Sequence, residues 1–496
     1  MKRQFAAAVA SLVLIGCSTT PDAADFSVKR DLSFTGRGNA GETLLELTVM
    51  PEGSCVVKGV NVVLDASASD VSGLSLVLGD EVLSSVRTKS GKTLYRLRCG
   101  REMADTVILK VCVDIAQDAS EGGFVGAEIA SVQMKGSSVV PEAPEAGSRE
   151  ILLCRKRLFA PGDYGSNFYR IPAIRQLQDV TLLVVNDRRN ITEEDLPGEI
   201  DVVSRYSTDG GRTWSEPTYV AKNQGFMFGY GDPGLAELED GTVICTFCGG
   251  QRLNKSCWED PQRSYYSISK DHGRTWSEPV NITASIWGPD PANPFCKRYN
   301  SSFFSSGNSL VLDRGEHKGR VLVANVTTYN SWYGLCNHAV YTDDGGETWN
   351  VSELAYADKG DEAKMVQLLD GWVMMSIRQS GKRAYVISED GGQTWSEPSF
   401  WDDMEVTACN GDLIRYNDEI LLHTVPFSMK RENVSVLLSF DEGKTWPERK
   451  TICAGPSQYS SITVLQDGTI GAYIEENTSA TELWYENFSL DWLRRH

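Results

Sequence analysis

The sequence predicts an all-β chain: a six-bladed β-propeller carried behind an N-terminal β-sandwich. Three observations lead there. A segment of pattern Ser/Thr-x-Asp-x-Gly-x-Thr-Trp, here called the box, occurs at Ser207–Trp214, Ser269–Trp276, Thr342–Trp349, Ser388–Trp395 and Ser439–Trp446. Strand-length apolar runs lead into the boxes, as in Tyr265-Tyr266-Ser267-Ile268 and Ala384-Tyr385-Val386-Ile387. The front of the chain has no box and instead alternates short apolar runs with turn residues.

The chain begins Met-Lys-Arg, followed by an apolar run Phe5–Gly16 that ends Leu14-Ile15-Gly16-Cys17. A basic start and a short apolar core read as a secretory signal over residues 1–17, and the run is too short to span a bilayer as a permanent helix. The Leu-Ile-Gly-Cys ending resembles a bacterial lipobox. That implies cleavage before Cys17, lipidation of that residue, and a lipoprotein exported to the periplasm or the cell surface of a bacterium. The only membrane partner expected is this lipid.

Residues 26–136 hold the runs Leu44–Val49, Gly59–Leu64, Leu74–Leu78 and Thr106–Val113 between turn residues, the pattern of a β-sandwich. They contain no Trp, so a carbohydrate-binding module and a plain spacer are both open readings. Residues 137–148, with Pro141, Pro144 and small residues, read as a linker.

The second domain is expected over 149–496. In each box the Asp can accept hydrogen bonds from nearby backbone N–H groups while Gly supplies a positive φ, so the box reads as a turn between antiparallel strands. The Trp can fold back and bury a large apolar face. Five identical turns imply five identical structural jobs, so the box Asp residues are read as braces and not as catalytic or calcium-binding groups. Successive boxes start 62, 73, 46 and 51 residues apart, a mean of 58. The domain therefore holds about six units with room for about four strands each, which is propeller arithmetic. A β-helix would repeat over a far shorter period.

The formal net charge of −19 argues against nucleic acid or an anionic membrane surface as partner. An anionic ligand would need a local cluster of Arg. The chain has 12 Cys without regular spacing and 5 His without a cluster. Cys245-x-x-Cys248 lacks a second pair at zinc spacing, and several Cys sit in apolar runs as buried thiols. Neither a metal nor another cofactor is expected.

The segment Phe168-Tyr169-Arg170-Ile171-Pro172 opens the repeat domain. It resembles the Phe/Tyr-Arg-Ile-Pro motif that precedes the boxes of exo-α-sialidases, and residues 150–490 resemble the bacterial sialidase family of glycoside hydrolases. The resemblance implies hydrolysis of terminal sialic acid from glycoproteins, glycolipids and oligosaccharides, with retention. Sialic acid carries a carboxylate on its anomeric carbon, and the guanidinium fork reads a carboxylate through two charge-assisted bonds. The family uses three Arg for this. Arg170 matches the first and Arg378 the second. Arg431 matches the third, with Lys430 beside it as the ambiguity. Tyr459, in Gly455-Pro456-Ser457-Gln458-Tyr459, matches the nucleophile and Glu362 its base.

A phenol suits the task, because a carboxylate nucleophile would be repelled by the substrate's own carboxylate; sialidases depart in this from the two-carboxylate scheme of other glycosidases. The phenol's pKa near 10 demands a base. Asp195 matches the acid/base, with Glu193, Glu194 and Asp201 as rivals, and burial or substrate is expected to raise its pKa. Glu475 matches the residue that orients the first Arg, Glu476 being the one-residue alternative. Arg188 and Asp232 match contacts near the C4 hydroxyl and the N-acetyl arm. Tyr299–Leu310 departs from a Gly-Pro-Gly-like turn common in the family, which leaves linkage preference open. Two other readings stand beside hydrolysis: a trans-sialidase or intramolecular trans-sialidase on the same residues, and a non-catalytic glycan-binding propeller.

Overall fold

The computed structural model describes residues 23–30, 33–67, 69–142, 147–288, 299, 301–328 and 334–495. The expected secretory segment and Cys17 lie outside the described residues, as do Asn300 and part of the expected linker. The chain divides into two compact units, one reaching Arg149 and the other taking Ser33–Arg37 together with Glu150–His496.

In the first unit one sheet runs in the order Ala24–Arg30, Glu42–Pro51, Val107–Ile115, Val71–Leu78, Glu81–Arg87. The other places Cys55–Ala66 between Phe124–Met134 and Leu94–Met103. Alternate residues of each sheet are buried, such as Leu45, Leu47 and Val49 from the first and Val60, Val62 and Leu97 from the second. Period-two burial on facing sheets is the sandwich arrangement. Ser138–Val139 pairs with Val132–Gln133, so strand structure continues past 136 into the expected linker.

The second unit is a six-bladed ring of sheets, antiparallel within each blade, with Gly307–Asn308 pairing in parallel with the inner strand of blade II. Blade I comprises Phe168–Gln176, Leu182–Arg189, Ile200–Ser207 and Thr218–Ala221. Blade II runs from Tyr230–Glu237 to Val280–Asn281, blade III from Phe303–Phe304 to Asn350–Tyr356 and blade IV from Ala363–Gln367 to Ser399–Val406. Blade V starts at Asp412–Arg415 and ends in the first half of the long strand Glu448–Val464; the second half of that strand opens blade VI. Cys154–Phe159 closes the ring as the outer strand of blade VI, paired antiparallel with Glu482–Phe488. Thr35–Gly36 also belongs to this unit and pairs in parallel with Ile151–Leu152, which a domain boundary drawn at 149 does not capture.

Each box joins the third and fourth strands of its blade, in blades I to V. Blade VI has none, because its third and fourth strands come from opposite ends of the domain and no turn can join them. In the first box Ser207 Oγ donates to Asp209 Oδ1 at 2.8 Å, and Asp209 accepts from Thr213 N at 2.9 Å and Thr213 Oγ1 at 2.6 Å. The same bonds recur at Asp271, Asp344, Asp390 and Asp441. Slight burial would raise the Asp209 pKa, but the bonds from Thr213 and Ser207 outweigh it and lower the value.

The box Trp residues do more than cover their own turns, for each reaches the preceding blade. Trp214 packs edge-on against Tyr485 of blade VI, with centroids 5.2 Å apart. Trp276 donates to Ser204 Oγ of blade I at 3.1 Å, and Trp395 to Ser352 Oγ of blade III at 3.2 Å. Trp349 meets Tyr266 of blade II, and Trp446 meets Trp401 of blade IV. Each box therefore staples one blade to the one before it.

Candidate active site

In an up-and-down blade the loop between strands 2 and 3 lies at the end where strand 1 begins, and the 3–4 turn lies at the opposite end. All five boxes therefore face away from the end that carries the candidate residues. Arg170 and Asp232 lie near the starts of the inner strands of blades I and II, and Glu362 directly precedes that of blade IV. Tyr459 stands where blade VI begins. Arg188 and Glu475 lie toward the ends of second strands, while Asp195, Arg378 and Arg431 occupy 2–3 loops. A cavity of about 260 Å³ brings together Arg170, Asp195, Asp232, Glu362, Arg378, Arg431 and Tyr459.

Tyr459 is the centre of the site, with only 7% of its surface exposed. Its hydroxyl donates to Glu362 Oε2 at 2.6 Å and accepts from Arg378 Nη1 at 2.8 Å. Arg378 also bonds Glu362 directly and reaches Asp361 Oδ2 at 3.3 Å. Three guanidinium groups surround the phenol ring, Arg170 at 5.1 Å, Arg431 at 5.6 Å and Arg378 at 5.9 Å from its centroid. Burial pushes the phenol well above its usual range, Arg378 opposes that rise and Glu362 adds to it. A phenol raised in this way gives up its proton only to a nearby acceptor, and Glu362 Oε2 is the carboxylate oxygen within hydrogen-bond reach.

Glu475 is fully buried and fixes Arg170 through two parallel bonds of 3.1 Å, the bidentate geometry of a strong Arg–carboxylate pair. It also accepts from Ile171 N at 2.7 Å and Tyr459 N at 3.2 Å. Ile171 has a φ of 62°, a strained value for a β-branched residue, in an irregularity of strand register between Arg170 and Ala173. Glu476, the alternative, pairs with Arg155 instead. Arg431 donates to Gln458 Oε1 at 2.9 Å, and it is Arg431, not Lys430, that lines the cavity.

Around Asp195 the structure differs from the expectation. Arg189 Nη2 lies 2.8 Å from Asp195 Oδ1 and 3.1 Å from Asp187 Oδ2. The Asp195 side chain is 72% exposed, so desolvation raises its pKa only in part, and the charges of Arg189 and Arg170 bring the net shift downward. The upward shift expected from burial is absent from the free protein. The next carboxyl behaves in the opposite way. Burial pushes Asp232 well above the carboxylate range, and the neighbouring charges of Asp187, Asp195 and Glu362 push it further. Asp187 is better compensated, by Arg189 and by the Asp232 N–H at 2.9 Å. Burial raises Asp187 as well, to about 6, and of the two Asp232 is pushed further toward the protonated form.

Arg188 is placed elsewhere. It donates to Tyr219 Oη at 2.7 Å and Tyr164 O at 2.6 Å and does not line the cavity. Successive side chains of a strand point to opposite faces, and the Arg188-Arg189 pair gives no sign of which faces inward. Arg189, Asp187, Asp361, Gln458 and Arg252 are the members that sequence reasoning missed. Cys245 and Cys248 are buried thiols whose pKa burial raises.

The BNR repeat-like domain family matches residues 192–472. A sialidase of Micromonospora viridifaciens is 32% identical over 392 residues, 74% of this chain and 58% of that protein. A sialidase of Bacteroides fragilis is 26% identical over 349 residues, 64% of this chain and 62% of that one. The chain thus spans less than two thirds of the length of these relatives. Among solved structures, the Hadza microbial sialidase Hz136 shares the fold with a TM-score of 0.72 at 19% identity, over 94% of this chain and 99% of that one. The intramolecular trans-sialidase of Ruminococcus gnavus does so with a TM-score of 0.60 at 20% identity, over 68% and 98%. Repeats, blades and relatives agree, and the chain belongs to the sialidase family.

Proposed function

We propose that this protein is an exo-α-sialidase that releases terminal N-acylneuraminic acid from sialylated glycans, with retention and through a Tyr459-linked intermediate. The observation that carries the reading is the buried Tyr459 hydroxyl, 2.6 Å from the Glu362 carboxylate beneath three guanidinium groups. Arg170, Arg378 and Arg431 bind the substrate carboxylate. The Tyr459 oxygen attacks the anomeric carbon while its proton passes to Glu362. Asp195 gives a proton to the departing glycosidic oxygen. Asp195, now ionised, then takes a proton from water as that water attacks the anomeric carbon, and Tyr459 leaves and recovers its proton from Glu362. Export as a lipoprotein anchored through Cys17 belongs to the same proposal, and Cys17→Ser should abolish membrane association.

The test is hydrolysis of a fluorogenic sialoside by the wild type and by Tyr459→Phe. Turnover lost in the variant supports the reading, and an inactive wild type favours a glycan-binding propeller. Proton NMR of the product separates hydrolysis from transfer: an anhydro sugar or a sialylated acceptor overturns it.

A further inference from the structure

The inner strands that carry catalytic residues at one end of the propeller enclose a second cavity at the other. Arg170 lies near the start of the inner strand of blade I, and Arg175 near its end, on the side of the boxes. There the strand ends of blades I, IV, V and VI wall a cavity of about 310 Å³. It shares no lining residue with the catalytic cavity. Ligand pockets begin at about this size.

The lining charges do not balance. Three charged side chains line the cavity, Arg175, Asp313 and Arg415. Asp313 is held by Arg314 at 2.6 and 3.1 Å, and Arg415 by Glu442 at 2.7 and 3.0 Å. Arg175 is only partly exposed, and its guanidinium makes no hydrogen bond or ion pair with any described residue. Two carboxylates, Glu237 and Asp412, act on it from beyond ion-pair distance. Both are occupied. The two Glu237 oxygens accept Gln178 N at 3.0 Å. Asp412 Oδ2 accepts from Asn308 Nδ2 and Ser461 Oγ at 2.7 Å and from Ile462 N at 3.0 Å. A second cation stands beside the wall. Lys364 is 1% exposed and its Nζ has no hydrogen-bond partner; a Cβ on Gly307, the residue before the lining Asn308, would lie 2.6 Å from it. Buried cations are normally paired, and a guanidinium carries five N–H donors. An anion in the cavity gives Arg175 the partner it lacks.

The wall narrows the anion. Glu237 and Asp412 weaken the positive field, so one negative charge is accommodated better than two. Leu310, Val311 and Leu413 supply apolar surface for a hydrocarbon body. The planar guanidinium fork reads a carboxylate through two bonds. We propose that this cavity is a binding site for a small organic monocarboxylate, held by Arg175 at the end of the propeller remote from the catalytic residues. The site goes beyond the exo-α-sialidase reading and does not depend on it.

The probe is 4-bromobenzoate, an inert monocarboxylate whose bromine marks its position. A crystal of the wild-type protein soaked in it should show bromine anomalous signal inside this cavity, with the carboxylate on Arg175. The catalytic arginines also attract carboxylates, so calorimetric titrations of Arg175→Gln and Arg378→Gln are run side by side. Arg175→Gln should weaken one binding event about 10- to 100-fold, the scale of a charge-assisted hydrogen bond, and Arg378→Gln should keep that event. Bromine confined to Arg170, Arg378 and Arg431, or a titration of Arg175→Gln identical to that of the wild type, overturns the proposal. If Arg175→Gln fails to fold, the wild-type crystal decides alone. Wild-type protein inactive on sialosides sinks the exo-α-sialidase reading and leaves this site to stand or fall by the bromine.

Discussion

Glu475 and Asp187 hold equivalent posts in successive blades. Each lies toward the end of a second strand, and each accepts the backbone N–H of the residue before Pro in the next blade: Ile171 for Glu475 at 2.7 Å, Asp232 for Asp187 at 2.9 Å. Both donating residues have positive φ, 62° and 60°, at a break in strand register. Gly231-Asp232-Pro233 is therefore blade II's counterpart of Arg170-Ile171-Pro172. Each carboxylate also holds an Arg, Arg170 in one case and Arg189 in the other. Removing one charge of such a pair leaves the other buried and uncompensated, at about 3–5 kcal/mol. Glu475→Gln should lose stability on that scale in urea denaturation, together with affinity for carboxylate ligands. A variant as stable as the wild type would show that Arg170 does not depend on this pair.

The Tyr459–Glu362 contact makes a second prediction. Glu362→Gln keeps the shape of the side chain but cannot take the phenol proton. General-base contributions are about 10²–10⁴-fold, and kcat should fall within that range while the thermal midpoint stays close to that of the wild type. Unchanged kcat would remove Glu362 from the proton path.

The parts of this architecture that repeat, or that stand in a contiguous motif, were legible in the sequence. The boxes announced the blades, and the resemblance of their local segments to sialidase motifs singled out Arg170, Arg378, Arg431, Glu362, Tyr459 and Glu475. What was hidden depends on side-chain direction and on neighbours distant in sequence. Arg188 and Arg189 differ only in which face of the strand they occupy. Asp187 could have been found by matching Gly231-Asp232-Pro233 to Arg170-Ile171-Pro172 and asking what plays Glu475's part. The ionisation of Asp195 depends on Arg189, which no linear motif marks. The pairing of Thr35–Gly36 with Ile151–Leu152 joins segments more than a hundred residues apart.

The boxes make a third prediction because they lie opposite the site. Asp271→Ala removes the bonds from Thr275 N and Thr275 Oγ1, at 2.8 and 2.6 Å. Losing them should cost about 1–3 kcal/mol, seen as a lower thermal midpoint, with kcat/KM within about twofold of the wild type. A large loss of activity in a folded variant would return the box Asp residues to the chemistry.

Asp232 makes a prediction about pH and stability. Its pKa is raised by folding, so the native state binds the proton more tightly than the unfolded chain, whose Asp titrates near 3.9. Stability from this group is fully present below about pH 3.9 and is lost as pH rises through the native pKa, at about 1.4 kcal/mol per unit of elevation. Asp232→Asn has no such proton to lose. The variant should therefore gain stability relative to the wild type between pH 4 and pH 7, measured by urea denaturation at both values. Parallel stability curves would show Asp232 to be ionised in the native protein.

Asp195 makes the opposite prediction, and it concerns binding. In the free protein the charges of Arg189 and Arg170 hold its largely exposed carboxyl below the usual carboxylate range. A carboxylate ligand on Arg170 offsets part of that field and adds a negative charge nearby, and both effects raise the Asp195 pKa. A ligand that raises a pKa takes up protons as it binds, so affinity should strengthen as pH falls toward the free-state value. Calorimetric titration with a non-hydrolysable sialoside, in buffers of different ionisation enthalpy, should record fractional proton uptake at weakly acidic pH. Asp195→Asn should abolish that uptake while binding persists, because the three arginines remain. If uptake survives unchanged in the variant, the proton goes to another group and Asp195 is not the residue that substrate prepares as the acid.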